Sequence, residues 1–268
     1  MLAEVVFVKL GGSLITQKRV EATARPSIIR RLASEIRSAT ELRPDIRLLL
    51  GHGSGSFGHM PAQRYSVQSG CTNWRGYAET SAAAGRLNRI VTDALQDAGV
   101  PAVSLQPSAS ARCRAGELVS MAIRPIEELL GHGLVPLVYG DVALDETWGS
   151  TIISTEVVFS YLARHLRPQR LLLVGEVEGV YSADPRLDQQ ARLIPRIDAS
   201  YIEATETSLG DSHAVDVTGG MRSKVRLMLQ LVRILPTLQV QVLSGLEPRL
   251  LERALCDPNL HTGTMIVA

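Results

Sequence analysis

Val5-Val-Phe-Val-Lys-Leu-Gly-Gly-Ser13 is an apolar, β-branched run that stops at two glycines. A run without polar alternation is typical of a strand buried on both faces, as in a parallel sheet. Glycines just past a strand let the backbone approach a ligand and turn its N–H groups inward, which suits phosphate oxygens. A tight turn would need the same glycines, so this pair alone leaves both interpretations open.

Five similar runs recur along the chain, separated by segments of helical period. These predicted strands are Arg47–Leu50, Ala102–Leu105, Val135–Tyr139, Leu171–Val174 and Val240–Leu243. Helices are predicted from Pro26 onward and over Tyr77–Ala98, Ser154–Leu166 and Met221–Leu235. Strands that alternate with helices predict an α/β fold whose mostly parallel sheet is covered on both faces.

Two segments break this alternation, Ala111–Ala122 and Val142–Ile152, and both are predicted to be β-hairpin insertions near a site. Because repeats, low-complexity tracts and Pro/Ser-rich linkers are absent from the sequence, we expect one continuous sheet and one domain over residues 1–268.

Composition excludes several classes of function. With 28 basic and 27 acidic residues the net charge is +1, so no global field would attract nucleic acid or an anionic membrane. The apolar runs are far shorter than the ~20 residues that span a bilayer, and the first residues lack signal-peptide features, which predicts a cytoplasmic protein. The three cysteines, Cys71, Cys113 and Cys256, are widely spaced and are expected to be free thiols.

Lysine is scarce: only Lys9, Lys18 and Lys224 stand among the 28 basic residues. A chain so rich in arginine should keep lysine mainly where a compact ammonium cannot be replaced by a planar guanidinium. Lys9 and Lys224 lie beside glycine pairs, which favours a role in binding an anion over chance survival on the surface.

Two more glycine-rich segments follow. The first comes directly after the second predicted strand and reads Gly51-His-Gly-Ser-Gly-Ser-Phe-Gly-His59. Flexible linkers rarely contain histidine and phenylalanine, so these residues favour an anion-binding nest over a flexible connection. In Asp216-Val-Thr-Gly-Gly-Met-Arg-Ser-Lys224, Thr218 is predicted to cap a helix that presents its first N–H groups and Lys224 to one phosphate. Neither segment matches a P-loop or a dinucleotide-binding fingerprint.

Acidic residues follow predicted strands or open a helix in Tyr139-Gly-Asp141, Ser154-Thr-Glu156 and Gly175-Glu-Val-Glu-Gly179. Ligands of open α/β sheets bind at the carboxyl ends of strands, so these carboxylates should gather with the glycine loops. Any one of them could instead be a solvated turn residue, but three together favour a site.

The order of these motifs resembles that of the amino acid kinase superfamily over essentially the whole chain, and includes Val177-Glu-Gly-Val-Tyr-Ser-Ala-Asp-Pro185. Within it, Lys9-Leu-Gly-Gly-Ser-Leu-Ile-Thr-Gln-Lys18 and Gly55-Ser-Phe-Gly-His59 resemble the isopentenyl phosphate kinase branch. The resemblance implies an αβα sandwich around about eight strands, a homodimer, Mg²⁺ and ATP as donor, and isopentenyl phosphate or dimethylallyl phosphate as acceptor.

The resemblance also implies residue roles. Lys9, Lys18 and His59 would be catalytic, with Lys18 stabilising the transferring phosphoryl group, and Asp141 and Glu156 would orient the site. The residues implied to bind ATP are Lys9, Gly11, Gly12, Ser13, Gly55, Glu176, Gly220 and Lys224, and those implied to bind the acceptor are Gly53, Ser54, His59 and Thr155. No protein-held metal site is implied. The acceptor-binding lobe would cover about 1–165 and the nucleotide-binding lobe about 166–268.

This sequence departs from the family pattern at two places. Ser154-Thr-Glu156 stands where Ser-Gly-Asp or Ser-Thr-Asp is usual, and Gly175-Glu-Val-Glu-Gly179 stands where Thr-Asp-Val-Asp-Gly is usual. Charge is kept, but each carboxylate is one methylene longer.

A phosphomonoester acceptor has a second pKa near 6 and is already an oxyanion at pH 7, so the reaction needs charge neutralisation and alignment, not a general base. His59 is therefore predicted to be a phosphate ligand. Apolar residues from Tyr77 to Val91, with Ile152 and Ile153, would line either a pocket for the acceptor's tail or ordinary core, and Trp74 could cover that pocket. A phosphonate kinase of the fosfomycin type and a non-catalytic nucleotide-binding protein remain the alternatives.

Overall fold

A computed structural model describes residues 3–17, 20–58, 74–185, 187–198 and 219–268. Its main sheet has eight strands in the order β10-β12-β11-β9-β1-β2-β6-β3. These strands are β1 (Glu4–Leu10), β2 (Ile46–His52), β3 (Ala102–Ser104), β6 (Val135–Tyr139), β9 (Arg170–Gly175), β10 (Arg196–Ile197), β11 (Gln239–Ser244) and β12 (Thr264–Ile266). Every pair is parallel except β11 with β12. The predicted mostly parallel sheet is confirmed.

Helices cover both faces of this sheet. They are α1 (Gly12–Ile15), α2 (Pro26–Leu42), α3 (Trp74–Asp97), α4 (Arg124–Gly131), α5 (Thr155–Leu166), α6 (Gly219–Ile234) and α7 (Leu250–Cys256). Alternate residues of β1 enter two separate cores: Val6 and Val8 pack with α2, α3 and α7, whereas Phe7 packs with α4, α5 and α6. This alternation builds the predicted αβα sandwich.

The expectation of one continuous sheet is wrong. The predicted hairpins are present as β4 (Arg112–Arg114) with β5 (Glu117–Ser120) and β7 (Asp141–Asp145) with β8 (Gly149–Ile153), but they form a second sheet in the order β5-β4-β7-β8. The buried Asp145 carboxylate joins the two hairpins because it accepts hydrogen bonds from backbone N–H groups of both. These groups belong to Ala115, Gly116, Thr147 and Trp148.

β1 lies at the centre of the main sheet, where its last residues meet the ends of both neighbours. Lys9 is in register with Gly51 of β2 and with Leu173 of β9. Because these strands are parallel, the segments that follow them emerge at the same edge of the sheet. The site lies at this edge.

No helix in the described part of the chain combines the length and apolarity needed to cross a membrane.

Candidate active site

The first two glycine turns touch each other through backbone atoms. A Cβ on Gly12 would lie 2.5 Å from the Gly55 nitrogen, and a Cβ on Gly53 would lie 2.9 Å from the Gly12 nitrogen and 3.9 Å from Lys9 Nζ. A side chain at 53 would therefore cover both the Gly12 amide and the Lys9 ammonium. Glycine at these positions keeps two positively polarised groups open to an anion.

The Gly11–Ser13 turn opens α1. Gly11 donates its N–H to the Val174 carbonyl at 2.8 Å, which anchors the turn to the end of β9. The first N–H groups of a helix have no partner within that helix, so those of Gly12 and Ser13 can face a ligand. The structure thus places the predicted nucleotide-binding turn beside the predicted acceptor-binding loop.

A buried carboxylate joins two of the lysines. Glu156 Oε1 lies 2.8 Å from Lys9 Nζ and 3.4 Å from Lys224 Nζ. Lys9 and Glu156 are 5% and 4% exposed, whereas the Lys224 side chain is 42% exposed and reaches in from the first turns of α6. The longer glutamate in place of the usual aspartate therefore still contacts both lysines.

The electrostatics of this cluster favour a charged Glu156. Burial alone would raise the pKa of Glu156, but the ammonium groups of Lys9 and Lys224 outweigh it and lower the pKa to about 2. Burial lowers the pKa of Lys9; Glu156 opposes this and Lys224 adds to it. Two cations around one anion leave an excess of positive charge where the glycine turns present their amides, as a phosphate group requires.

Glu176 lies across the same edge of the sheet, at the end of β9. Its Oε1 accepts a hydrogen bond from Arg25 Nη1 at 2.8 Å. The same nitrogen lies 3.5 Å from the Ser13 carbonyl oxygen and 3.4 Å from that of Leu14. Arg25, which sequence reasoning missed, thus links the carboxylate to the α1 turn. Its 151-residue separation from Glu176 hides the pairing in the sequence.

One predicted acceptor-binding side chain is engaged within the protein, and a second explains a neighbouring glycine. Thr155, 1% exposed, donates its hydroxyl to the His52 carbonyl at 2.6 Å. Ser54 Oγ occupies the position that a Cβ on Gly58 would need, which explains the glycine there. Ser154 caps α5 by accepting from the Val157 N–H at 3.2 Å, so the helix starts where the sequence predicts.

Asp141 lies apart from the lysine cluster in its hydrogen bonding. Its carboxylate accepts from the backbone N–H groups of Val142 at 2.8 Å and Ser108 at 3.2 Å. Burial raises the pKa of Asp141, and these hydrogen bonds partly offset the rise. Asp141 is the first residue of β7 in the second sheet. Among the described residues, its hydrogen bonds do not include one to Lys9 or Lys224.

His52 is a second residue that sequence reasoning passed over, although its loop was singled out. It is fully buried; Nδ1 donates to the Gly53 carbonyl at 3.1 Å, and Nε2 accepts from Asn88 Nδ2 at 3.2 Å. Its ring stacks on Tyr139 with centroids 5.6 Å apart. Burial lowers the pKa of His52 to about 4 and Lys9 acts in the same direction, so a neutral imidazole holds the start of the glycine loop.

Several predicted residues lie outside the described residues, namely Lys18, His59, Cys71 and Thr218. Gly220 is placed as the second residue of α6, four positions before Lys224. Cys113 and Cys256 are free thiols, as predicted. In the part of the chain that the structure describes, no three or more His, Cys, Asp or Glu side chains gather as a metal site would require.

The apolar residues proposed for the acceptor's tail divide between two environments. Leu87, Val91 and Ile153 are at most 1% exposed and belong to the cores. Ile90 is 37% exposed, and Trp74, which was predicted to cover the pocket, is 54% exposed. Of the two alternatives left open by the sequence, ordinary core describes Leu87, Val91 and Ile153.

Comparison with known proteins agrees with this architecture. The sequence profile described as "Amino acid kinase family" matches residues 4–240. The chain therefore belongs to the amino acid kinase family.

Relatives define the branch more narrowly. Isopentenyl phosphate kinase of Methanothermobacter thermautotrophicus is 37% identical over 274 residues, covering 97% of this chain and 98% of that protein. The enzyme of the same name from Haloferax volcanii is 37% identical over 229 residues, covering 84% and 88%. A solved isopentenyl phosphate kinase structure superposes with a TM-score of 0.84 at 34% identity, covering 98% of this chain and all of the other. Within the family, the chain groups with the isopentenyl phosphate kinases.

Proposed function

We propose that this protein transfers the γ-phosphoryl group of ATP to isopentenyl phosphate, forming isopentenyl diphosphate and ADP. The observation that carries the proposal is the buried Lys9–Glu156–Lys224 cluster beside two glycine turns in backbone contact. The names of the relatives supply the acceptor. Dimethylallyl phosphate, which has the same charge and carbon number, is proposed as a second acceptor.

The reaction needs no base on the protein. An oxygen of the acceptor phosphate forms a bond to the γ-phosphorus of ATP while the bond from that phosphorus to the β,γ-bridging oxygen breaks, and ADP leaves with the electron pair. Because the acceptor is an oxyanion at pH 7, the protein's task is to offset the repulsion between two phosphates and to align them.

The described residues support a division of roles. Lys9, the amides of Gly12 and Ser13, and Lys224 with the start of α6 are proposed to hold the phosphates of ATP. Glu156 contacts both ammonium groups and is proposed to orient them. Gly53, Ser54 and Gly55 face the α1 turn from the other side and are proposed to hold the acceptor phosphate. Gly55 would also face ATP, and Thr155 and Asp141 would fix the surrounding backbone. Lys18 is proposed to stabilise the transferring phosphoryl group, and His59 to bind the acceptor phosphate.

Mg²⁺ is proposed to enter with ATP. Mg²⁺ in kinase sites is held chiefly by substrate phosphates and water with one or two carboxylates. When bound, it would neutralise part of the phosphate charge. Glu176, already paired with Arg25, is proposed to face the nucleotide at the end of β9.

We also propose that the protein is a homodimer and is located in the cytoplasm. Its acceptor-binding lobe is proposed to cover about 1–165 and its nucleotide-binding lobe about 166–268.

An acceptor screen tests the proposed function. ADP release is measured with isopentenyl phosphate, dimethylallyl phosphate, fosfomycin or no acceptor, and the products are identified by mass. We expect turnover with the two prenyl phosphates and formation of a diphosphate. Turnover with fosfomycin alone would replace the proposal with a phosphonate kinase, and ATP binding without turnover would indicate a non-catalytic protein.

A further inference from the structure

One buried hydroxyl connects the two glycine turns. Thr16 follows α1 and is 1% exposed. Its Oγ1 donates to the Gly12 carbonyl at 2.7 Å and accepts from the Ser56 N–H at 3.1 Å. A threonine hydroxyl has one proton and two lone pairs, so both bonds form at once. Gly12 lies in the turn proposed to hold ATP, and Ser56 lies in the loop proposed to hold the acceptor.

The surroundings of this hydroxyl are tightly fitted. A Cβ on Gly55, which has φ +50°, would collide with Thr16 Oγ1 and approach the Gly12 carbonyl oxygen to 2.7 Å. Glycine at 55 therefore serves two needs, a left-handed backbone and space for the Thr16 side chain. The Gly12 turn and the Gly53–Ser56 loop therefore meet at two places, the Thr16 hydroxyl and the backbone of Gly12 and Gly55.

Backbone hydrogen bonds also hold Thr16 and Ser56, the residues at the two ends of this contact. The Thr16 N–H donates to the Gly12 carbonyl at 3.0 Å, and the Ser56 carbonyl accepts from the Ala22 N–H at 3.4 Å. Thr16 itself pairs with Ala24 in an isolated β-bridge. Ser56 is thus held through both its N–H and its carbonyl by the segment that leaves α1.

We propose that Thr16 is a positioning residue that sets the separation of the donor and acceptor phosphates by fastening the Gly12 turn to the Gly53–Ser56 loop. The inference rests on the proposed function. Each turn keeps its own phosphate-binding groups without Thr16, so each substrate should still bind. What should suffer is alignment of the two substrates, and a misplacement near 1 Å costs about a hundredfold in rate.

The test compares Thr16→Val, which keeps the shape and removes the hydroxyl, with Thr16→Ser, which keeps the hydroxyl. For Thr16→Val we expect kcat to fall about tenfold to a hundredfold, while the Kd of ATP alone and of isopentenyl phosphate alone, measured by calorimetry, stay within about threefold. Thr16→Ser should keep kcat within about threefold. Thr40→Val is the matched control, since the Thr40 hydroxyl donates to the Arg37 carbonyl in α2.

Each contrary outcome has a distinct meaning. Three results would overturn the positioning role: an unchanged kcat in Thr16→Val, an equal fall of kcat in Thr16→Ser, or weaker binding of both ATP and isopentenyl phosphate by Thr16→Val. If Thr16→Val does not fold, Thr16→Ala takes its place, and failure of both to fold would assign Thr16 to stability alone. Absence of turnover in the unmodified protein would instead refute the proposed function.

Discussion

Glu156→Gln removes the negative charge at the centre of the lysine cluster while keeping nearly the same shape. In the folded protein the pKa of Glu156 is about 2, against an ordinary value of 4.5. A depressed pKa stabilises the fold at pH values above the unfolded pKa, and this stabilisation is lost as pH falls toward the folded pKa. This difference in pKa corresponds to about 3 kcal/mol of unfolding free energy at pH 7, which is the loss expected for Glu156→Gln. It agrees with the ~3–5 kcal/mol cost of removing one partner from a buried ion pair.

The pH dependence makes this prediction specific. Between pH 7 and pH 3.5 the unmodified protein should lose about 1 kcal/mol of unfolding free energy through Glu156, and the glutamine variant should lose none through that position. Urea unfolding followed by circular dichroism at both pH values measures the difference. Glu128→Gln is the control, because Glu128 pairs with Arg124 on the surface and should contribute less than about 1 kcal/mol. A stability gap between Glu156→Gln and the unmodified protein that is the same at both pH values would refute the charged, buried carboxylate.

Substitutions at three further positions, Lys18, His59 and Gly12, address the reaction itself. Lys18→Ala should lower kcat far more than it raises the KM of ATP, because its charge is used mainly in the transition state, and Lys18→Arg should also be poor; near-normal turnover in either would remove Lys18 from the mechanism. His59→Ala should lower kcat/KM for the acceptor about tenfold to a hundredfold and His59→Gln by less, with ATP binding unchanged, as expected for a lost hydrogen bond to a charged group; equal and complete inactivation by both would indicate proton transfer. Gly12→Ala would place a Cβ 2.5 Å from the Gly55 nitrogen and should lower kcat/KM about a hundredfold, whereas Gly131→Ala, with no neighbour within 4 Å of its Cβ, should keep full activity; an active Gly12→Ala would show that contact between the two turns is unnecessary.

The sequence predicts best the features that repeat over several turns or residues. β1, β6 and α2 were predictable because buried β-branched runs and a proline-initiated apolar stripe carry strong local signals. β10 has two residues and β12 has three, which is too short for any periodicity to be read. α7 is likewise missed, since seven residues show barely two turns of pattern.

Non-local pairing accounts for the remaining differences. The second sheet depends on β4 pairing in parallel with β7 and on the Asp145 carboxylate, which reaches four backbone N–H groups from two hairpins. The Arg25–Glu176 pair and the burial of His52 arise in the same way, from chain segments that meet only after folding. Local sequence does not show such partners, whereas it does show the glycines and lysines that are proposed to bind phosphate.

Lys9 and Lys224 are two of the three lysines in a chain rich in arginine, and a different physical reason favours lysine at each position. Lys9 lies at the end of a central strand, 5% exposed, with Glu156 2.8 Å from its ammonium and Gly53 directly beside it. A planar guanidinium with five donors would have to satisfy them in that confined space, so the compact ammonium is required on steric grounds. Lys224 is half-exposed on the first turns of α6, where an arginine has room. Lysine at 224 is better explained by its contact with Glu156. One Glu156 oxygen contacts the ammonium groups of both Lys9 and Lys224, whereas an arginine at 224 would occupy both carboxylate oxygens by bidentate pairing and would compete with Lys9.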